Sequence, residues 1–232
     1  MSRQKKQLLL SSEKEALGYV ERWAKSRGLL PLMGVDEAGR GSIAGPVVAG
    51  ALILPEDHDI SGLNDSKKLS ATTREVLFEQ IMKFALAYGI GQAQVSEIDE
   101  IGILKATLLA MRRAVETALS MFGKDVALVV VDGNVPIPDL AVMQKTWVKG
   151  DCLSMNVAGA SILAKVYRDR LMCEADRVYQ GYGFAVHKGY ATKAHVEAIR
   201  RLGVSPFHRR SFRPCILASS YSALVGVAQK NR

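Results

Sequence analysis

The sequence predicts an α/β fold organised as one globular domain, and three observations carry that expectation. Two short aliphatic runs, Leu32 to Asp36 and Val47 to Leu54, flank a glycine-rich stretch. A continuous apolar run from Val126 to Val131 ends at Asp132. Ahead of it, Ile101, Leu104, Leu108, Met111, Val115, Leu119 and Phe122 recur at steps of three or four. The first pair reads as antiparallel strands joined by a functional loop, and the apolar run as a strand buried on both faces. The periodic segment reads as an amphipathic helix. A chain of 232 residues with 48% hydrophobic content can bury a substantial core of this kind.

Taken in order, residues 12 to 27 predict a surface helix, because Ser12 with Glu15 forms a capping box and Leu17, Val20 and Trp23 follow at helical spacing before Gly28. The two strands come next, with the pair Asp36-Glu37 where the first one ends. Residues 72 to 84 predict a helix and 85 to 95 a third strand. Ser96 stands as the N-cap of the long amphipathic helix. After the strand ending at Asp132, residues 140 to 148 predict another strand. Lys149-Gly150-Asp151 then leads into a helix whose Ala158, Gly159, Ala160, Ser161 and Ala164 are small enough to pack close to a sheet. Residues Gly181 to Pro214 are turn-rich and basic, with a helix at 192 to 202.

Composition narrows the function. No apolar run is long enough to span a bilayer and no signal core opens the chain, so a soluble, cytoplasmic protein is expected. Three cysteines without CxxC spacing argue against a disulfide framework or a zinc site. The net charge of +8 is unevenly spread. Residues 1–30 carry seven Lys/Arg against three acids, 31–180 carry fifteen against nineteen, and 181–232 carry nine against one. An acidic middle between basic ends suits a carboxylate site for cations flanked by segments that hold a polyanion, although basic tails can also serve only solubility.

The run Gly34 to Gly41 places two carboxylates, flexible backbone and an arginine together. Carboxylates suit Mg2+ or Mn2+, and glycines beside Arg40 let the backbone approach a phosphate ester closely. Taken alone, such a run is ordinarily a solvated loop. Asp132 and Asp151 share its context, each at or just past a strand end beside glycine, where ligands of α/β sheets bind. Four converging carboxylates would repel one another unless divalent cations neutralised them, and two such ions suit phosphoryl displacement by water.

Further blocks follow in order: Leu63-Asn64-Asp65-Ser66-Lys67-Lys68-Leu69, Val131-Asp132-Gly133-Asn134, Lys149-Gly150-Asp151, Ala160-Ser161-Ile162-Leu163-Ala164-Lys165-Val166, Gly181-Tyr182-Gly183-Phe184, His187-Lys188-Gly189-Tyr190 and His208-Arg209-Arg210-Ser211-Phe212. With Val35 to Gly41 they resemble the successive signatures of ribonuclease HII, the bacterial type 2 ribonuclease H, over residues 33 to 214. The resemblance implies an RNase H-like fold, a central mixed β-sheet flanked by helices with a helical C-terminal extension. The catalytic domain is then expected over 31–214, with a basic, helical N-terminal extension over 1–30, outside the resemblance, and a tail over 215–232. It also implies an endoribonuclease that cuts the RNA strand of RNA/DNA hybrids and incises 5′ of single ribonucleotides in duplex DNA. By motif, Asp36, Glu37, Asp132 and Asp151 are expected to be the catalytic, metal-binding carboxylates, with Mn2+ or Mg2+ as cofactor. Asp36 would bridge two ions, Glu37 and Asp132 hold one, and Asp151 orient the other. Gly39, Arg40 and Gly41 are expected at the 2′-hydroxyl of the RNA-to-DNA junction, and Tyr190 under the following deoxyribose.

For the remaining positions a structural role stands beside the functional one. Asn64, Ser66, Lys67 and Lys68 are either phosphate contacts or an ordinary polar turn. Ser161 and Lys165 are phosphate ligands or a helix-packing serine and a solvated lysine. His187 and Lys188 lie close to Tyr190, whereas His195 reads as a surface helix residue. Arg209 and Arg210 read as a basic surface or salt-bridge partners, and Trp23 and Trp147 as packing residues. The expected partners are a hybrid or a ribonucleotide-bearing duplex, bound by a monomer and not by a membrane protein. The rival readings are a non-catalytic nucleic-acid binder and the related ribonuclease HIII, whose larger N-terminal domain thirty residues are too few to supply.

Overall fold

The computed structural model describes residues 16–58, 60–63 and 66–217. Ser12, Glu15, Asn64 and the tail beyond residue 217 lie outside these residues. The described residues group into two compact units.

The first unit takes in residues 16–38, 48–92 and 108–166. Helix α1 (Tyr19–Lys25) precedes strands β1 (Leu32–Ala38) and β2 (Val47–Ile53). A 3-10 turn at Ser66–Lys68 leads to α2 (Ala71–Phe84), whose N-cap Ser70 accepts from the Thr73 amide, and then to β3 (Ala87–Ala93). Strands β4 (Leu128–Asp132) and β5 (Gln144–Trp147) complete a five-stranded sheet in the order β3-β2-β1-β4-β5. It is mixed: β1 runs antiparallel to β2 and parallel to β4, which runs parallel to β5. Every residue of β2 and the first four of β4 are buried, as unbroken apolar runs require when a strand is covered on both faces.

After the one-turn helix α5 (Gly150–Leu153), helix α6 (Met155–Val178) begins against the sheet. A Cβ on Gly34 would fall on the Asn156–Val157 peptide, and one on Gly50 on the Ala160 carbonyl. Two strand glycines and the small side chains of α6 therefore let backbone meet backbone directly above Asp36, whose cross-strand partner is Gly50. Leu52, Leu54, Phe78, Ile81, Ile162 and Leu163 seal one side of this contact, and Val20, Ala24, Leu32, Leu128, Val130 and Val157 the other. Trp23 and Trp147 pack edge to face in the latter cluster, at 5.2 Å between ring centroids.

The second unit takes in residues 39–47, 93–107 and 167–217. Its helices are α3 (Val95–Ile101), the start of α4 (Ile103–Phe122), the later turns of α6, α7 (Phe184–His187) and α8 (Lys193–Leu202). The single helix expected from Ser96 to Phe122 is thus two. Gly102 breaks it at φ 80 and ψ 156, and the cap is Gln94, which forms a capping box with Glu97. Ser96 lies inside the first turn. Phe184 packs among Ala44, Met172, Tyr179, Tyr182 and Phe207, and a single β-bridge joins Ala44 to His208.

Candidate active site

The carboxylates belong to the first unit. β1 delivers Asp36 and Glu37 one after the other, and because strand side chains alternate, they leave on opposite faces. Parallel β4 places Asp132 at its own end, in register with Trp147. Asp151 follows just past β5, in the first turn of α5, entered through Lys149 at φ 60.

Asp36 is buried, and its carboxyl is pushed well above the usual carboxylate range by that burial and by the charges of Glu37 and Asp132. Hydrogen bonds from the Ser161 hydroxyl and, at 2.7 Å, from the Glu37 amide oppose the shift. Asp132 is raised too, mainly by burial, with Asp151 and Glu37 adding repulsion. The Gly150 amide, 2.7 Å from its Oδ1, and Lys67 pull the other way. Lys67 Nζ stands 3.6 Å from Asp151 Oδ2. The four acids are therefore one electrostatic cluster.

As oriented, no three carboxylate, imidazole or thiol side chains among the described residues stand close enough together to enclose an ion. Their chemistry still fits Mg2+ or Mn2+: the donors are hard carboxylate oxygens, and the mutual repulsion that raises Asp36 and Asp132 is what a divalent charge relieves.

The secondary candidates divide. Ser66 and Ser161 are buried, 2.9 Å apart through their hydroxyls, and form a chain that ends on Asp36. That place makes them supports of the carboxylate and keeps them off the open surface. Lys67 and Lys68 are exposed beside them, and Lys165 is half-buried on α6. Sequence reasoning missed Glu21. Its Oε1 accepts from Ser154 Oγ at 2.6 Å, from the Asn156 amide at 3.1 Å and from Asn156 Nδ2 at 3.0 Å. An α1 carboxylate thus caps the start of α6, three to five residues after Asp151.

The second unit carries Gly39, Arg40, Gly41, His187, Lys188 and Tyr190. Gly39 has φ 95 and no room for a side chain, since a Cβ would strike the guanidinium stem of Arg168. Arg40 and Gly41 are exposed, and a Cβ on Gly41 would lie 3.8 Å from the Tyr190 ring. Tyr190 is 42% exposed, while its backbone is held on both sides. Its amide donates to the His187 carbonyl, and its carbonyl accepts from the Thr192 amide and lies 2.8 Å from His195 Nδ1. His187 and Lys188 are occupied internally: the His187 ring bonds the Tyr182 carbonyl and the Gly189 amide, and Lys188 Nζ donates to the Ala185 carbonyl and Cys173 Sγ.

Two expectations fail here. His195 is not a surface residue but 0% exposed, stacked on His187 and 3.1 Å from His208 Nε2. Burial pushes His195 and His208 down to about 4. Arg209 belongs to no basic surface either. It is fully buried and donates to the carbonyls of Arg40, Ser42 and Gly45. A sequence signal existed for its companion Arg168, which falls on the stripe Val157, Ala160, Ser161, Ala164, Met172 of α6, where a cation must be buried.

Comparison with known proteins gives a consistent result. The family model described as Ribonuclease HII matches residues 33–215. The chain is 50% identical over 205 residues to a ribonuclease HII of Syntrophotalea carbinolica, covering 88% of this chain and 96% of that one. It is 53% identical over 193 residues to one of Geobacter sulfurreducens, covering 83% and 87%. Among solved structures, ribonuclease H2 from Pyrococcus horikoshii OT3 superposes with a TM-score of 0.66 at 26% identity, covering 82% of this chain and 97% of that one. Bst-RNase HIII in complex with Mn2+ superposes at 0.70 and 19% identity, covering 85% and 72%, a likeness of fold.

Proposed function

The chain belongs to the ribonuclease HII family and is a ribonuclease H, and on that premise we propose that it incises duplex DNA 5′ of single embedded ribonucleotides as well as cutting continuous RNA/DNA hybrids. The observation that carries the catalytic reading is the cluster of Asp36, Glu37, Asp132 and Asp151, in which burial and mutual repulsion raise two of the acids. A protein that only bound nucleic acid would gain nothing by turning such charge toward phosphates.

Asp36, Glu37, Asp132 and Asp151 would hold two Mn2+ or Mg2+ ions. When bound, such ions lower the pKa of water and stabilise the leaving oxygen of an in-line displacement. The residues themselves supply position. Ser161, backed by Ser66, and the Glu37 amide fix one face of Asp36, and the Gly150 amide fixes Asp132. Water attacks the phosphorus in line with the P–O3′ bond, leaving 5′-phosphate and 3′-hydroxyl ends, and no histidine is needed as base. Gly39, Arg40 and Gly41 contact the backbone and 2′-hydroxyl, the one group that separates RNA from DNA at the junction. Tyr190 offers its exposed ring to the next deoxyribose. Lys67 and Lys68, both exposed on the 3-10 turn, would meet phosphate as point charges.

Incubation with Mn2+ or Mg2+ and two duplexes, one with a single ribonucleotide and one a continuous hybrid, tests the proposal. Both should be cut. Cutting of the continuous hybrid alone would point to ribonuclease HIII behaviour, and cutting of neither to a binding protein.

A further inference from the structure

Two arginines are the largest fully buried side chains among the described residues, Arg168 at 1% and Arg209 at 0% exposure. Among the described residues neither is paired with a carboxylate. Nearby Asp99 is taken by the Arg210 and Ser211 amides and the Ser211 hydroxyl. Burying a guanidinium without a counter-charge is expensive, and two side by side repel each other as well. All their hydrogen bonds go to backbone carbonyls. Arg168 Nε donates to Pro46 at 3.0 Å, Nη2 to Ala44 at 3.0 Å and Nη1 to Lys188 at 2.9 Å. Arg209 Nε donates to Gly45 at 2.9 Å, and Nη1 to Arg40 at 3.0 Å and Ser42 at 2.6 Å.

Five of those six carbonyls lie between residues 40 and 46, in the segment that begins with Gly39-Arg40-Gly41. The sixth lies two residues before Tyr190. One planar, rigid fork therefore ties the glycine-framed loop to the tyrosine segment, a task that a flexible ammonium with a single donor centre cannot perform. The Ile43 amide, bonded to the Gly189 carbonyl at 2.9 Å, closes the same joint. At Gly189, φ is +81 and a Cβ would press on the Ala44 carbonyl at 2.6 Å, so that joint has no slack. Both guanidiniums are too buried to touch a substrate.

We infer that Arg168 and Arg209 are positioning residues for ribonucleotide selectivity, holding the backbone of Gly39–Gly41 at a fixed distance from Tyr190. The inference rests on the proposed reading of those residues as the 2′-hydroxyl contact and the sugar platform. A 2′-hydroxyl is recognised through hydrogen bonds of narrow reach, so a loop free to drift loses discrimination before it loses cleavage. A continuous hybrid offers a 2′-hydroxyl at every step and tolerates drift, whereas a lone ribonucleotide offers one.

The test uses R168K and R209K, which keep charge and bulk but lose the fork, in the full chain with Mn2+. Steady-state kcat and KM are measured on the single-ribonucleotide duplex and on the continuous hybrid, with melting temperature alongside. The expected result is a loss of about tenfold or more in kcat/KM on the single ribonucleotide, carried by KM, with less than about threefold on the hybrid and an unchanged Mn2+ requirement. An arginine that only stabilises the fold would lower both activities in proportion to the folded fraction, and an unchanged ratio between substrates overturns the inference. Y190A separates this from the underlying reading. If Y190A lowers the ratio and the lysine variants do not, the inference alone falls; if Y190A leaves the ratio unchanged, both fall. In the double variant R168K/Y190A, no further loss of ratio beyond Y190A supports action through Tyr190, and full additivity contradicts it. Should R168K fail to fold, R209K decides the matter by the same ratio.

Discussion

Asp132 is held by the Gly150 amide on one oxygen and faces the charges of Asp151 and Glu37. An asparagine in its place could keep the amide contact while losing the charge, so D132N should lower kcat by on the order of a hundredfold or more and leave affinity for a hybrid unchanged. Retained turnover would remove Asp132 from the centre. His195 and His208 make a second, independent prediction at this scale. Both imidazoles are held near 4 in the fold against 6.5 as the ordinary value. As pH falls through 6.5, the unfolded chain takes up protons that the folded chain refuses, so stability is complete above that pH and declines until about 4. The loss is on the order of a few kcal/mol for the pair, and H195N should flatten this acid limb in a melting-temperature series. An equal acid slope in wild type and H195N would contradict the assignment. The strand-end places of Asp36, Glu37 and Asp132 could be found from sequence because each apolar run stops at these acids just before a glycine. The burial of His195 could not, because α8 is amphipathic and the face it hides depends on Tyr182, Phe184 and Ser205, which only the tertiary fold supplies.

At the level of elements, α1 matters beyond the apolar contacts of Val20 and Ala24. Glu21 gathers three donors from the start of α6 onto one oxygen, in a position where a negative charge also favours the helix N-terminus. E21A leaves those donors unmatched and should cost about 2 kcal/mol, read in urea unfolding as a lower midpoint at constant slope. A stability within a few tenths of a kcal/mol of wild type would show that water replaces Glu21 without loss. Strands β1, β2 and β4 and helix α2 were legible because their periodicities are strong and their stops are glycine, proline or serine. The division of α3 from α4 was not, since Gly102 keeps the hydrophobic spacing intact while breaking the axis. Contacts made by Glu21, Arg168 and Arg209 were equally hidden: apart from the Lys188 carbonyl, their partners lie more than a hundred residues away in sequence, and most are backbone groups, which leave no mark in composition.

Across the whole molecule, one compact unit carries the carboxylates and the other carries the glycine-framed loop with Tyr190, and the chain passes from the first to the second between Ala38 and Gly39. The uneven charge of the sequence follows this division, with the acidic stretch supplying the carboxylates and the basic residues between 181 and 217 lying in the second unit. Because divalent ions relieve repulsion present only when Asp36, Glu37, Asp132 and Asp151 are gathered by folding, Mn2+ should raise the melting temperature of the intact chain. The gain is about 2.7 kcal/mol at a hundred times the dissociation constant, and D132N should lose most of it. An equal rise in both proteins would place the ion elsewhere.

Where and how the chain cuts a DNA duplex holding one ribonucleotide tests the carboxylate mechanism most directly. End-group analysis of the products formed with Mn2+ should show a single break on the 5′ side of the ribonucleotide, a 3′-hydroxyl on the upstream fragment and a 5′-phosphate on the ribonucleotide. A 2′,3′-cyclic phosphate, or a break on the 3′ side, would mean that the 2′-hydroxyl attacks instead of being read, and would contradict the carboxylate mechanism.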